Sequence, residues 1–299
     1  MAILLIGGNG LVGTRLVSYL AKAGEELIVF SGHAPAVQLS GVTYYQGDVT
    51  EYGTLNQILH KHKVDRIVHN AAVSHPKLFA DNPYKVFRVN VTGTLTSLEA
   101  ARNYGIDRFI YISSGAVYGN VHLDVVTEDV PLHGESPYGA SKVACEEIVR
   151  NYGLSSASLR VGFVYGPGRK FECPIQMILS DCIHKGCVNW DHGIDQIMDY
   201  VYVDDCVEAI ATVSLADKLP HTEYNIGGGQ NVPYSMVVDC VKKLYPDVPI
   251  SIGSGTLGYD NLGAMSMQRF YEDFHWKPRT AIEEGISRYN DWLKNNSRS

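Results

Sequence analysis

Gly7-Gly8-Asn9-Gly10-Leu11-Val12-Gly13 follows a compact apolar run, Ala2–Ile6, which has the makings of a strand. The same stretch opens Leu11–Ala23, where Leu11, Val12, Leu16, Val17 and Leu20 fall on one stripe at helical spacing. A strand, a glycine-rich turn and a helix in that order make a cradle for phosphate. Glycines at 7, 10 and 13 permit a tight turn, close approach of a pyrophosphate to the backbone, and close helix–strand packing. The helix N-terminus adds unpaired N–H groups and a partial positive charge. Gly7, Gly10, Leu11, Val12 and Gly13 are therefore candidates for binding a dinucleotide, NAD or NADP.

Outward from this loop, short β-rich runs alternate with helix-period segments. Leu27–Phe30, Val42–Tyr45, Arg66–His69, Phe109–Ser113 and Ala157–Arg160 read as strands. Leu55–His62, a long segment from Pro83 to about Asn103, and Tyr138–Tyr152 read as helices between them. This rhythm predicts an α/β fold, a doubly wound parallel sheet of Rossmann type with helices on both faces. The rhythm breaks at Gly166-Pro167-Gly168. Beyond it, Phe171–Cys187, Asp204–Ala216 and Tyr234–Leu244 are expected to be helical, and Glu223–Ile226 a late strand. The expected organisation is an NAD(P)-binding domain over 1–165 and a smaller substrate-binding lobe over 166–299. Segments near 204–228 are expected to return to the sheet and interleave the two.

Composition narrows the function. The 299 residues are 45 % hydrophobic and 19 % charged, ordinary for a globular enzyme, and the net charge is −7. That balance speaks against nucleic acid or an anionic membrane as a general partner, while leaving room for a phosphorylated small molecule at a local positive site. The start, MAILLIGGNG, has no basic region before an apolar core, and no run approaches the roughly 20 apolar residues of a membrane span. The six cysteines form no CxxC and the eleven histidines no HExxH, so reduced thiols, no metal and a cytoplasmic setting are expected.

Other positions qualify the cofactor. Gly47-Asp48-Val49, after the third strand, would bring Asp48, with Val49, beside an adenine ring; the alternative is a simple turn. The second strand ends in Phe30-Ser31-Gly32-His33, with neither the acid that holds ribose hydroxyls nor an adjacent arginine. Ser31 and His33 are candidates to meet a 2′-phosphate, and NAD versus NADP stays open.

The chemistry comes from Tyr138-Gly139-Ala140-Ser141-Lys142, which puts a phenol and an ammonium at i and i+4 on one helix face. A free tyrosine has a pKa of about 10, too high for a base at neutral pH, and a neighbouring ammonium favours the phenolate. Lys142 would also hold the nicotinamide ribose. Upstream, Tyr111-Ile112-Ser113-Ser114-Gly115-Ala116-Val117-Tyr118-Gly119 brings a hydroxyl to the carboxyl end of a central strand, where ligands bind in such sheets. Ser114 is the candidate to hydrogen-bond the substrate oxygen whose charge changes as hydride moves.

Taken together, these motifs resemble the extended short-chain dehydrogenase/reductase superfamily, in particular its NAD-dependent epimerase/dehydratase branch. The resemblance spans nearly the whole chain. It includes the glycine loop, Gly47-Asp48, His69-Asn70-Ala71-Ala72, Val89-Asn90-Val91-Thr92-Gly93-Thr94, the Ser113–Gly119 strand end and the Tyr138–Lys142 motif. It continues through Leu159-Arg160, Val164-Tyr165-Gly166-Pro167, Tyr202-Val203-Asp204-Asp205, Tyr224–Gly228 and Trp276–Thr280. It implies that Ser114, Tyr138 and Lys142 form the catalytic trio and that Ala71 and Ala72 line the cofactor. It also implies that Asn90 is a structural or cofactor-side residue, that Phe163 and Val164 approach the nicotinamide, and that the chain is a homodimer paired through its two long helices.

Departures from the branch's patterns bear on the substrate. Dehydratases of the branch carry an Asp-Glu pair after the catalytic hydroxyl; Gly115-Ala116 stands there, which speaks against dehydration. Nucleotide-sugar epimerases carry an Asn before the VYGP segment, where Phe163 stands, and a Ser four residues before the helix-opening proline, where Phe79 stands. Arg169 and Lys170, after the Gly-Pro-Gly turn, are candidates to receive a substrate diphosphate, and Ser74 and His75 are candidate substrate contacts. The first expectation is a UDP-glucose-type 4-epimerase that removes and returns a hydride. The second is an NAD(P)-dependent dehydrogenase or reductase of a free sugar, sugar acid or other small carbonyl compound. A catalytically silent NAD(P)-binding regulatory protein is a third.

Overall fold

Valine, isoleucine and leucine runs without polar alternation need cover on both faces. Every residue of β1 (Ala2–Ile6) is buried. The computed structural model describes residues 2–296 apart from Pro76, Ala80, Lys170 and Glu172. Among them, β2 (Glu26–Ser31), β3 (Val42–Gln46), β4 (Val64–His69), β5 (Arg108–Ile112), β6 (Ser156–Val161) and β7 (Glu223–Ile226) join β1 in a seven-stranded sheet. The order is β7-β6-β5-β4-β1-β2-β3, and every pairing is parallel. The chain winds outward from β1 in both directions, so the switch point lies between β1 and β4, where a crevice opens at the carboxyl ends.

Helices α1 (Leu11–Lys22), α2 (Tyr52–Lys61), α3 (Pro83–Phe87), α4 (Gly93–Asn103), α5 (Pro137–Asn151), α6 (Pro174–His184) and α7 (Val203–Leu215) follow in chain order. On one face Ile3, Leu5, Val29, Val68 and Ile110 pack with Leu16, Val17 and Leu20 of α1 and Val207 and Ile210 of α7. On the other, Leu4, Ile28, Ile67 and Phe109 pack with Leu55 of α2, Leu98 of α4, and Cys145 and Val149 of α5. Helix α7 and strand β7, both beyond residue 166, thus complete the sheet layer. A separate core joins α6 to the helices Tyr234–Leu244 and Ile282–Asn296 around Tyr165, Tyr200 and Tyr202. Short parallel pairs, Phe163–Tyr165 with Tyr200–Tyr202 and Val188–Trp190 with Ile250–Ile252, knit this lobe.

Two expected helices differ. The segment Phe171–Cys187 is helical only over Pro174–His184: Pro174 sits in the first turn, Cys173 Sγ accepts from the Gln176 N–H, and Gly186 beyond the end has φ +65°. The segment from Pro83 to Asn103 is interrupted by a π-helical turn, Arg88–Thr92, which carries Asn90. Such turns commonly mark functional positions.

Candidate active site

The glycine loop divides its labour. A Cβ on Gly7, whose φ is +84°, would lie 2.5 Å from the Ala71 nitrogen, and one on Gly13 would lie 2.4 Å from the Gly7 carbonyl. Both are rigid backbone clashes. Around Gly10 the nearest atom to such a Cβ is 3.7 Å away, so the space above the N-terminus of α1 is open. No side chain caps that end, which leaves the leading N–H groups of the helix, beginning at Leu11 and Val12, available to an anion. Asn70 clamps the loop, its Nδ2 donating to the Gly7 carbonyl at 3.0 Å and its backbone N–H to Ile6 at 2.8 Å. Ala71 lies directly against Gly7, and Ala72 follows, partly exposed.

At the far end of the crevice, Ser31 is buried as the last residue of β2, and His33 is exposed with its carbonyl held by Asn9 Nδ2. Asp48 is a turn residue. Its Oδ1 accepts from the Thr50 N–H at 2.9 Å and hydroxyl at 2.8 Å, and its Oδ2 pairs with Arg88 at 2.5 Å. The Thr50 backbone bond, with Arg88 assisting, holds its carboxyl below the usual range. Val49 packs beneath Gly93, where a Cβ would lie 2.7 Å from it.

Ser114, Tyr138 and Lys142 meet at the carboxyl end of β5. The Ser136 hydroxyl accepts from the Gly139 N–H and Pro137 occupies the first turn, so α5 begins with Tyr138 facing the crevice mouth. The Ser114 hydroxyl favours the ionised form of the Tyr138 phenol. Lys142, only 3 % exposed, donates to the Ile112 carbonyl at 2.6 Å and sits 4.6 Å from the Tyr111 ring centre and 5.9 Å from that of Tyr138. Asn90 is buried alongside: its Oδ1 accepts from the Val73 N–H at 2.7 Å and its Nδ2 donates to Ser141 Oγ at 2.8 Å. It therefore ties the loop after β4 to α5.

The expected lowering of the Tyr138 phenol by Lys142 is not what this arrangement gives. Burial pushes the phenol above its ordinary range; the opposing influences are the Ser114 hydrogen bond and the charge of Arg169. Burial also pulls Lys142 down to about 8, with Cys145 and Glu146 acting the other way. The unfolded chain would hold this proton to about 10.4, so between roughly pH 8 and 10.4 the unfolded state binds more protons and stability rises with pH. Lys142→Met is expected to raise the melting temperature of the cofactor-free protein at pH 7 and to flatten that alkaline rise, read by thermal denaturation across pH. A lower melting temperature at pH 7 would show that the Ile112 bond outweighs the burial of the ammonium.

Facing this trio is an aromatic wall. Phe163 stands edge-on to Tyr200 at 5.6 Å and to Tyr259 at 5.3 Å. His75 is buried against Tyr259 at 5.8 Å and Phe171 at 6.3 Å, and burial, ahead of the charges of Arg169 and Lys77, pulls it down to about 4, so it is neutral. Arg169 lies over the Phe163 ring at 4.9 Å and donates to the carbonyls of Val164 at 2.6 Å and Phe171 at 3.1 Å. Ser74 is exposed beside His75. Lys170 lies outside the described residues.

Several residues that shape the site carried no recognisable motif. Lys77 donates to the Leu257 carbonyl at 2.9 Å and covers the Tyr259 ring at 4.4 Å, locking the 253–261 loop over the cleft. Glu146, one turn past Lys142, receives a forked contact from Arg160 Nε at 3.0 Å and Nη2 at 2.8 Å, and a bond from Ser113 Oγ at 2.5 Å. The spacing from Lys142 was a usable signal for Glu146; nothing local announces Lys77 or Tyr259.

A family model described as "NAD dependent epimerase/dehydratase family" matches residues 3–227. The chain is 28 % identical to dTDP-glucose 4,6-dehydratase 1 of Escherichia coli, over 100 % of this chain and 94 % of that one. It is also 28 % identical to a UDP-glucose 4-epimerase of Lacticaseibacillus casei, over 99 % and 97 %. The solved structure of the Thermus thermophilus UDP-glucose 4-epimerase in complex with NAD superposes with a TM-score of 0.87 at 27 % identity, covering 99 % of this chain and 100 % of that one.

Proposed function

The chain belongs to the NAD-dependent epimerase/dehydratase family, and we propose on that premise that it is a nucleotide-sugar 4-epimerase of the UDP-glucose type. The observation that carries this is the buried Tyr138 phenol, one helical turn from a buried Lys142 anchored to the Ile112 carbonyl and with Ser114 favouring its ionised form, at the mouth of the crevice that the open Gly10 cradle shares. Gly115 and Ala116 carry no acid to expel water, and a Cβ on Gly115 would press on Leu262 at 2.8 Å, which favours epimerisation over dehydration.

The residues suit the cofactor. The α1 N-terminus and Gly10 would take the pyrophosphate, Asp48, Val49, Ala71 and Ala72 would flank the adenosine side, and Lys142, Phe163 and Val164 the nicotinamide side. NAD is the choice we favour, since no arginine follows Ser31 to His33 and the Thermus relative was solved with NAD. NAD, when bound, supplies a pyridinium charge and a reversible acceptor for hydride. Tyr138 takes the proton from the sugar hydroxyl while Ser114 donates to the same oxygen, and Tyr138 returns the proton once the keto sugar has presented its other face. Lys142, anchored to the Ile112 carbonyl, would orient the nicotinamide ribose. Two chains are proposed to pair through the Pro83–Asn103 and Pro137–Asn151 segments, where Tyr84 and Leu95 are exposed. Six unpaired thiols accord with the cytoplasm.

One feature favours a second reading, a net dehydrogenase of a smaller sugar: at position 163 a ring packed between Tyr259 and Arg169 replaces the amide of nucleotide-sugar epimerases. Denaturing the purified protein and identifying the released nucleotide separates the two. Stoichiometric NAD, retained without addition, is expected of an enzyme that regenerates its cofactor each turnover. An empty protein that binds NAD or NADP reversibly and accumulates the reduced form with a sugar would overturn the epimerase.

A further inference from the structure

Asp199 is a buried carboxylate without a cation. It is 1 % exposed, between the short strands Ile197–Met198 and Tyr200–Tyr202, and no ion pair among the described residues includes it. Main-chain N–H groups hold it instead: Oδ1 accepts from Gly228 at 2.5 Å and Oδ2 from Met265 at 2.6 Å. Two donors converging on two oxygens call for a carboxylate, because an amide would turn its own NH₂ toward one of them. The loop after β7 closes tightly on the group, since a Cβ on Gly227 would lie 2.4 Å from Oδ2. The segments so joined line the cleft. Met265 packs with Val117 and Tyr118 in the turn that follows Ser114, and a Cβ on Gly115 would lie 3.2 Å from its Sδ. On the other side the Asp199 carbonyl accepts from the Phe163 N–H at 2.8 Å, and Phe163 belongs to the aromatic wall.

We propose that Asp199 is a positioning residue for the transfer. Its carboxylate pins the Leu262–Met265 strand against the turn after Ser114 while its carbonyl holds Phe163, and together they fix the gap in which the sugar ring sits. The role goes beyond the 4-epimerase reading and holds for any sugar on which Tyr138 acts. Burying a charge without a counter-charge is costly. Here burial, ahead of the opposing Met265 and Gly228 N–H groups, pushes the carboxyl up to about 7. Above that pH both oxygens accept; below it one of them becomes an O–H that faces an N–H, and the pin weakens. Gly162, Gly227, Gly228, Met265 and Met267, which face the residue from the packed segments, do not titrate. Burial raises the adjacent Tyr200 phenol well above its ordinary range, so it stays neutral.

The KM of the NAD-loaded enzyme for UDP-glucose, measured from pH 8 down to pH 6, tests this. The ionised fraction of a group at about 7 falls about tenfold over that range, so KM is expected to rise about 5–10-fold. Asp199→Asn is expected to hold KM at the raised value, flat across the range, with kcat at pH 8 within about threefold of the wild type. It is also expected to retain NAD, because neither N–H partner of the carboxylate belongs to the glycine loop. A residue that served folding alone would lower the melting temperature without moving KM or its pH profile. A flat wild-type KM would overturn the proposal, whether or not the Asn variant folds. So would an acid limb that survives in the variant, since Lys142, at about 8, would then carry it. Hydrogen exchange of the NAD-loaded protein needs no sugar. The Gly228 and Met265 amides are expected to lose about tenfold of their protection at pH 6, and in Asp199→Asn at both pH values. That pattern without any turnover of UDP-glucose would sink the 4-epimerase reading and leave the pin standing. Protection unchanged by pH and by the substitution would overturn the pin.

Discussion

Tyr138→Phe is expected to lower turnover by about 10²–10⁴-fold while the protein keeps its fold and its bound NAD. The substitution removes one hydroxyl from a ring that is 7 % exposed and already packed at the start of α5, so the volume change is small. The hydroxyl is the atom whose ionisation Ser114 favours. Without it, Ser114 still donates to the sugar oxygen but nothing in place can take that oxygen's proton. Lys142 is not a substitute, because its Nζ is directed to the Ile112 carbonyl. Measured turnover within threefold of the wild type would remove Tyr138 from the chemistry. Loss of NAD together with turnover would make it a cofactor-holding residue instead.

Arg160→Met is expected to cost about 3–5 kcal/mol of stability and about 10 °C of melting temperature. Arg160 and Glu146 have side chains 3 % and 0 % exposed, and Arg160 also donates to the Tyr118 hydroxyl at 2.9 Å and the Glu128 carbonyl at 2.8 Å. Replacing it strands the Glu146 carboxylate in the core with Ser113 as its remaining partner. Removing both charges, in Glu146→Gln with Arg160→Met, is expected to cost less than the two single changes added together, because neither is then left unpaired. A fall of less than about 3 °C for Arg160→Met would mean that water reaches Glu146. The network matters to the site because Glu146 lies one turn beyond Lys142 on α5 and Ser113 precedes Ser114, so both catalytic candidates hang from it.

What the chain discloses in one dimension is what is local. The glycine loop, the Tyr138–Lys142 spacing and the Ser113–Gly119 strand end are each a few consecutive residues whose geometry a strand or a helix dictates. The alternation of Val, Ile and Leu runs with helical stripes gave the sheet and its parallel sense. The π-helical turn at Arg88–Thr92 was not legible, because its residues would serve equally in an α-helix. The false start at Phe171 came from apolar periodicity outweighing Pro174, whose place in the first turn marks where that helix begins. Asp48 had Thr50 two residues on, the pattern of a self-bonded turn, and it is bonded that way. The cleft wall was legible only in part: His75 and Phe163 stood out as candidate contacts, but Tyr259 did not, because the three come from distant segments that meet only once Lys77 and Gln196 hold the 253–261 loop.

Transient removal and return of a hydride is the central claim, and an isotope label on the substrate reads it directly. The UDP-sugar that turns over fastest, carrying deuterium on C4, would be converted with purified protein and its product analysed by mass spectrometry and NMR. The account predicts the C4 epimer with deuterium retained at C4 and no accumulation of reduced cofactor. Deuterium found in free NADH, or exchanged with solvent, would contradict it.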